Sequence, residues 1–291
     1  MRSTRLALLA NRVLARVGLE VRRAQQTFDE PVPLVDDPWI AWHLQQGGAE
    51  VAFHCPINLI VRGNGLGFSQ EGYEPFVSTV QEYIQGCVSE YANSKLEAYY
   101  EHWQPRDAAE ATLCFRRGEG SLGGLPAHVF SLHPWRAAQL PEYDEYVRAW
   151  VARDYRQHGL PGGSLAAHGY KAHGPIHPLA GTIEYKRITS VADSLSRSGY
   201  QREYGDTRVV MLRRGRELRF LQQGGFHRTA AVSALGYASI PARLSGVYSL
   251  DDLAYWPQIR DGRWTQDDAL RYVDHLFEFD SAEWALSRGL R

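Results

Sequence analysis

The chain has 291 residues, of which 44% are hydrophobic and 12% aromatic, and its formal net charge at pH 7 is -1. This composition indicates a folded globular protein and excludes a disordered chain, and the near-neutral charge argues against a general nucleic-acid binder. Three widely spaced cysteines exclude a disulfide framework and zinc-finger spacing, which favours a cytoplasmic protein.

Residues 1–23 are predicted to form a basic amphipathic helix. Its apolar residues share one helical face, and the opposite face carries Arg5, Arg12, Arg16 and Arg23. Such a helix can lie on an anionic membrane surface, which would place the protein peripherally on the inner face of the membrane. Docking of the helix on the rest of the chain is the alternative, because the same pattern serves both purposes.

Residues 24–160 are predicted to be mainly helical after an irregular, proline-rich start over residues 24–60. Apolar residues recur at three- and four-residue spacing in three stretches, which are Val77–Tyr91, Leu96–Trp103 and Tyr143–Trp150. Ser94 and Glu97 fit a capping box at the start of the second helix. The aromatic stripes are interpreted as core packing, because helical spacing explains them.

A glycine- and proline-rich loop marks a predicted domain boundary near residue 160. It contains His168, His173 and His177. Three histidines can bind a metal, but their spacing matches no helix face or zinc finger. Solvated or substrate-facing histidines are the alternative.

The predicted second domain spans residues 161–248. The stretch TIEYKRI, beginning at Thr182, is predicted to be extended. Ser190 and Asp193 would then cap a short helix that Gly199 ends. Further along, RVVMLRR and ELRFLQ are predicted to be strands joined in a hairpin at Arg214–Gly215.

A short helix from His227 to Leu235 and a strand, ASIPARL, are predicted to complete this domain. Residues 249–291 are predicted to be a helical tail. Two possible helix caps lie in it: Ser249 paired with Asp252, and Thr265 paired with Asp268. The predicted fold class is therefore α+β: an N-terminal helical region, a small mixed domain and a short helical tail.

The turn between the second predicted strand and the short helix has the composition of an anion site. Gly224 and Gly225 allow the backbone to approach a ligand closely, and the helix start presents free N–H groups. His227 and Arg228 add a switchable donor and a permanent cation, and Thr229 adds a hydroxyl. The alternative is a glycine turn with Arg228 on the surface.

The stretch GGFHRTAAVSALGYASIPARL, which starts at Gly224, resembles the nucleotide-binding motif of the ParB/sulfiredoxin superfamily. The resemblance covers about residues 175–246. It implies a ParB/sulfiredoxin-like fold and contacts to nucleotide phosphates, commonly with magnesium. The residues that would make these contacts are Gly224, Gly225, Phe226, His227, Arg228 and Thr229.

Two departures from the family pattern affect the predicted chemistry. Phe226 stands where sulfiredoxins have their reactive cysteine, so repair of sulfinic acids is not expected. Gly224 replaces the aspartate of the related free serine kinases, so a kinase of this type needs its acid elsewhere. Glu184 is the candidate, as general base or magnesium ligand, with an ordinary ion pair to Lys186 or Arg187 as the alternative.

Asp206 is a second candidate magnesium ligand. The leading hypothesis is a nucleotide-binding, ATP-dependent phosphotransferase that acts on a small hydroxyl compound or glycan. Glu184 and His227 would be its catalytic residues, and its cofactors would be ATP, or another nucleoside triphosphate, and Mg²⁺. The alternative is a non-catalytic nucleotide-binding regulatory or assembly module at the membrane surface. Nucleic acid is not an expected partner.

Overall fold

The computed structural model describes residues 32–160, 165 and 171–290, so the basic segment 1–23 and His168 lie outside the described residues. Within the described ranges, no helix combines the length and apolar content needed to cross a membrane. The helices are α1 (Pro38–Gln46), α2 (Pro75–Ile84), α3 (Lys95–His102), α4 (Ala108–Ala111), α5 (Leu140–Gln157), α6 (Pro178–Ser198), α7 (Phe226–Ala234), α8 (Pro257–Arg260), α9 (Gln266–Glu278) and α10 (Ser281–Ser287).

A six-stranded mixed sheet organises the fold, so the predicted mixture of helices and strands is confirmed. Its strands are β1 (Leu34–Val35), β2 (Ala52–Pro56), β3 (Ile60–Val61), β4 (Thr207–Arg214), β5 (Glu217–Gly224) and β6 (Ser239–Ser249). The order across the sheet is β1-β2-β6-β4-β5-β3. β4 lies parallel to β6 and antiparallel to β5, and β3 closes the far edge parallel to β5.

Both faces of the sheet are covered by packed side chains. Along β4, Val209 and Met211 belong to one apolar cluster, while Val210 and Leu212 belong to another. This alternation is expected for a strand that is buried on both faces. The first cluster includes residues of α2, α6 and α7, and the second includes residues of α5 and α9. The candidate site lies at the start of α7, on the face of the first cluster.

The prediction of an irregular segment over residues 24–60 is wrong for its described part, which contains β1, α1, β2 and the start of β3. Proline and acidic residues around Pro33 and Asp37 suggested a loop, but Asp37 instead caps α1 through its side chain. In β2, Phe53 pairs with Ala242 of β6. Residues 34–61 therefore contribute strands to the same sheet as residues 207–249.

The predicted hairpin is confirmed, with β4 and β5 joined through the turn at Gly215. The prediction for TIEYKRI is wrong, because this stretch lies inside α6, a helix of 21 residues. Pro178 starts α6, and the buried residues Tyr185, Ile188 and Ala192 recur at helical spacing. Ser190 and Asp193 accordingly lie within this helix and do not cap a new one.

Several predicted helix boundaries are confirmed by their capping contacts. The hydroxyls of Ser94 and Thr265 accept hydrogen bonds from the backbone N–H groups of Glu97 and Asp268. Ser249 also caps a helix, but that helix is a 3-10 segment. α2 ends at Ile84, earlier than the apolar spacing predicted.

Candidate active site

The glycine turn joins β5 to α7 in a backbone conformation that requires glycine. Gly225 has φ 76° and ψ 26°, which is the left-handed region. A Cβ atom at Gly225 would lie 2.8 Å from Thr207 Oγ1 and 3.3 Å from Thr207 Cα. Strand β4 therefore packs directly under the turn, and this packing fixes the direction in which α7 leaves the sheet.

The first turn of α7 presents backbone donors. No side chain caps this helix, and its first helical hydrogen bond runs from Thr229 N to Gly225 O at 3.0 Å. Within the described residues, no acceptor pairs with the N–H groups of Phe226, His227 and Arg228. These groups and the positive end of the helix dipole suit an anion such as a phosphate.

Glu184 of α6 and His227 of α7 form a hydrogen-bonded pair beside this helix start. The Nε2–H of His227 donates to Glu184 Oε2 at 2.9 Å. The Glu184 side chain is 3% exposed, whereas that of His227 is 27% exposed. The Phe76 ring packs edge-on against the imidazole, with centroids 5.4 Å apart. A buried carboxylate thus holds one nitrogen of a solvent-accessible imidazole.

Two cations hold the other oxygen of Glu184. Lys171 Nζ lies 2.7 Å from Oε1, and Arg187 Nη1 lies 2.5 Å from the same atom. Both cations also face Asp154, and the distance from Lys171 Nζ to Asp154 Oδ2 is 2.5 Å. Of the two ion pairs that the sequence offered, Arg187 forms one, and Lys171 replaces Lys186.

The environment of Glu184 favours its charged form. Burial alone raises its pKa, but the hydrogen bond and charge of His227, together with Lys171, outweigh burial and lower the pKa to about 2. A carboxylate of such low basicity is a poor proton acceptor at neutral pH. It is well suited to fix the orientation of His227 and to stabilise its protonated form.

A second buried carboxylate near His227, Glu74, was not predicted. It caps α2 by accepting hydrogen bonds from Phe76 N at 2.8 Å and Val77 N at 3.0 Å. Arg62 Nη1 lies 3.4 Å from Glu74 Oε1, and the Arg62 guanidinium lies over the Phe226 ring, 4.3 Å from its centroid. Burial raises the pKa of Glu74, although the charges of Arg62 and His227 oppose this effect.

A glutamate before a proline at a helix start, as in YEPF, is the sequence signal that identifies Glu74 as a cap. Nothing in that local pattern indicates that Glu74 approaches α7. The same holds for Asp154 and Lys171, which reach Glu184 only through tertiary packing.

Arg228 and Thr229 make structural contacts in this conformation. The Arg228 guanidinium donates to the carbonyl oxygens of Tyr204, at 2.9 Å, and Gly205, and it lies over the Tyr200 ring. The Thr229 hydroxyl is buried and donates to Gly225 O at 3.2 Å. Of the side chains predicted to bind phosphate, His227 is the one placed at the open end of the helix.

The structure does not bring Asp206 to Glu184 or His227. Its carboxylate accepts two hydrogen bonds from Arg202, at 2.8 and 2.9 Å, and one from Arg243 at 3.3 Å. His173 is buried and its Nδ1 donates to Gly174 O at 2.8 Å, while His177 caps α6 through Nδ1. Among the described residues, no group of three or more His, Cys, Asp and Glu side chains could hold a metal ion.

No protein-family model matches the chain, and no curated protein matches it either. The functional interpretation therefore depends on the glycine turn, the Glu184–His227 pair and the cations around them.

Proposed function

We propose that the protein binds a nucleotide at the start of α7 and acts as an ATP-dependent phosphotransferase on a small hydroxyl compound or glycan. The observation that carries this proposal is the 2.9 Å hydrogen bond between Glu184 and His227 at the helix start that follows Gly224 and Gly225. It combines backbone donors for phosphate with an oriented imidazole in one place. Such a combination is what phosphoryl transfer needs from a protein.

In this proposal the nucleotide phosphates accept hydrogen bonds from the N–H groups of Phe226, His227 and Arg228. Glu184 holds the Nε2–H of His227, which leaves Nδ1 as the basic nitrogen. His227 Nδ1 takes the proton of the acceptor hydroxyl, whose oxygen attacks the terminal phosphorus of ATP. The bond to the bridging oxygen breaks and ADP leaves. A base of this kind typically contributes about 10²–10⁴-fold in rate.

Magnesium does not fit the carboxylates that the sequence suggested. Both oxygens of Glu184 already accept hydrogen bonds from cationic or imidazole donors, and Asp206 is paired with Arg202 and Arg243. A Mg²⁺ ion prefers oxygen ligands that are free of such competing cations. We therefore assign no step of the reaction to a metal ion held by these residues.

A second candidate function is a non-catalytic nucleotide-binding regulatory or assembly module in the cytoplasm, held at a membrane surface through residues 1–23. The observation in its favour is that Glu184 and Arg228 already have protein partners. Glu184 pairs with Lys171 and Arg187, and the Arg228 guanidinium donates to backbone carbonyl oxygens. Ion-pair networks that only stabilise a fold also perturb pKa values. Nucleotide binding without turnover would favour this module over the enzyme.

Calorimetric titration with ATP or CTP and magnesium tests nucleotide binding. We expect the wild-type protein to bind, and we expect Arg228→Ala to weaken binding by about 1.5–3 kcal/mol, the value of a charge-assisted phosphate contact. To make that contact, Arg228 would have to leave the carbonyls of Tyr204 and Gly205. Absence of binding at millimolar nucleotide would contradict the proposal.

The control for this experiment separates a ligand contact from a structural contact. Arg228→Ala also removes two hydrogen bonds to backbone carbonyls, so its unfolding free energy is measured in parallel. A destabilised variant that binds nucleotide as tightly as the wild type would restrict Arg228 to a structural role. In that case the nucleotide phosphates would be held by the backbone N–H groups of Phe226, His227 and Arg228 alone.

A further inference from the structure

A second charged site lies where β4 begins, beside the middle of β6. A pocket of about 370 Å³ is lined there by Gln45, Gly48, Ala49, Glu50, Val51, Arg208, Arg243, Leu244 and Ser245. Its volume is in the range of small-ligand sites. None of the six residues predicted to contact phosphate, Gly224 to Thr229, lines it.

Two arginines stand side by side in this pocket. Arg208 of β4 is the register partner of Arg243 of β6 on one side and of Gly224 of β5 on the other. Register partners on neighbouring strands project from the same face of a sheet, and like charges in that arrangement repel each other. Because Gly224 has no side chain, the stem of Arg208 lies over it, within 3.9 Å of the position that a Cβ atom would take.

The charges of this pocket are only partly balanced. Arg243 pairs with Glu50 at 3.1 Å and with Asp206 at 3.3 Å, and Asp206 also pairs with Arg202. Arg208 is exposed, and its guanidinium makes no hydrogen bond or ion pair to any residue that the structure describes. Three guanidinium groups thus face two carboxylates, and the uncompensated positive charge is that of Arg208.

Bulges on both sides of β4 shape the same pocket. Between Val209 and Val210 the register with β6 shifts, so that Ser245 has no partner on β4. The register with β5 also shifts next to Arg208. Bulges re-aim side chains and are frequent beside functional sites, and they are rare between parallel strands such as β4 and β6. The bulge places the exposed Ser245 among the residues that line the pocket.

We propose that this pocket binds a phosphate group, with Arg208 as the principal cation and Ser245 as a hydroxyl donor. An unpaired guanidinium offers the planar set of donors that matches phosphate oxygens, and the guanidinium of Arg243 lies on the neighbouring strand. The free ion and a phosphomonoester share this chemistry. The proposal uses neither Glu184 nor His227, so it stands whether or not the protein transfers phosphoryl groups.

Calorimetric titration at low ionic strength, with inorganic phosphate and separately with glycerol 3-phosphate, tests this site. Arg208→Ala should weaken binding about tenfold or more, as expected for loss of a hydrogen bond to a charged group. Arg216→Ala is the matched control, because Arg216 is exposed at the far end of the same hairpin and its loss changes the net charge equally. Tighter binding of the ester than of the free ion would identify an esterified ligand.

Two further variants locate the bound ion. Ser245→Ala keeps the net charge and should weaken phosphate binding by a smaller factor than Arg208→Ala does. If Arg208→Ala does not fold, Ser245→Ala serves as the test variant in its place. His227→Ala should bind phosphate like the wild type. Equal affinities of Arg208→Ala and Arg216→Ala, loss of binding in His227→Ala, or no binding by the wild type at millimolar phosphate would overturn the proposal.

Discussion

Replacing Glu184 by glutamine is expected to lower phosphoryl transfer by about 10²–10⁴-fold and to leave nucleotide affinity unchanged. The two side chains have nearly the same shape, but the amide cannot stabilise the protonated form of His227 that develops when His227 takes the acceptor proton. The backbone donors at the start of α7 are unaffected by the change. Single-turnover kinetics and calorimetry with ATP measure the two effects separately.

The same substitution should lower the free energy of unfolding by about 3–5 kcal/mol at neutral pH, because it removes the more deeply buried of the two carboxylates that Lys171 and Arg187 share. The pKa of Glu184 is lowered to about 2 from 4.5. Its stabilising effect is therefore complete above pH 4.5 and is lost as the pH falls towards 2. In urea unfolding series, Glu184→Gln should show a shallower loss of stability over this pH range than the wild type.

Glu217→Gln is the control for both measurements, because Glu217 is an exposed surface carboxylate paired with Arg214 at 2.9 Å. Exposed ion pairs contribute little to stability, so this variant should retain the wild-type behaviour. If Glu184→Gln loses nucleotide affinity together with turnover, Glu184 acts in ligand binding or structure. Unchanged turnover would remove Glu184 from the catalytic proposal.

Replacing Gly174 by alanine is expected to destabilise the protein by about 3 kcal/mol or more. A Cβ atom at this position would lie 2.7 Å from the carbonyl carbon of Tyr100 and closer still to its oxygen. Backbone atoms cannot move aside as the end of a flexible side chain can. Urea unfolding measures the loss, and Gly67→Ala is the matched control, because its Cβ would meet only Ser281 Oγ at 3.8 Å.

The close approach at Gly174 also bears on the site. Gly174 N donates to Trp103 O at 2.9 Å, and the Tyr100 hydroxyl donates to Lys171 O at the same distance. The segment that carries Lys171 is therefore fixed against α3. Because displacement of this segment moves Lys171 away from Glu184, Gly174→Ala should impair activity as well as stability. Equal stability of Gly174→Ala and Gly67→Ala would contradict this account.

The parts of the site that the sequence predicts are those with local signals. The hairpin β4–β5, the glycine turn and α7 are contiguous, and each has turn or capping residues of its own. The extent of α6 was missed because Ser190 and Asp193 imitate a helix start inside a longer helix. That error made Glu184 part of an extended segment, although its position near His227 was expected.

The remaining partners of Glu184 could not be predicted because they depend on packing between distant elements. Asp154 lies at the end of α5 and Lys171 follows a glycine-rich stretch, and no periodicity relates either residue to α7. The role of Arg208 could not be predicted from the sequence for a different reason. Its importance comes from its register against Arg243 and Gly224, and strand register is a property of the assembled sheet.

The pairing of β2 with β6 has a consequence for the growing polypeptide on the ribosome. The register joins Phe53 to Ala242, so among the described residues β2 gains its antiparallel neighbour only when synthesis has reached Ala242. β3 likewise can pair with β5 only after β5 has been synthesised. Contacts between such distant residues form slowly, and unpaired strand edges are prone to associate with other chains. The emerging chain is therefore expected to need chaperone protection of these two segments during translation.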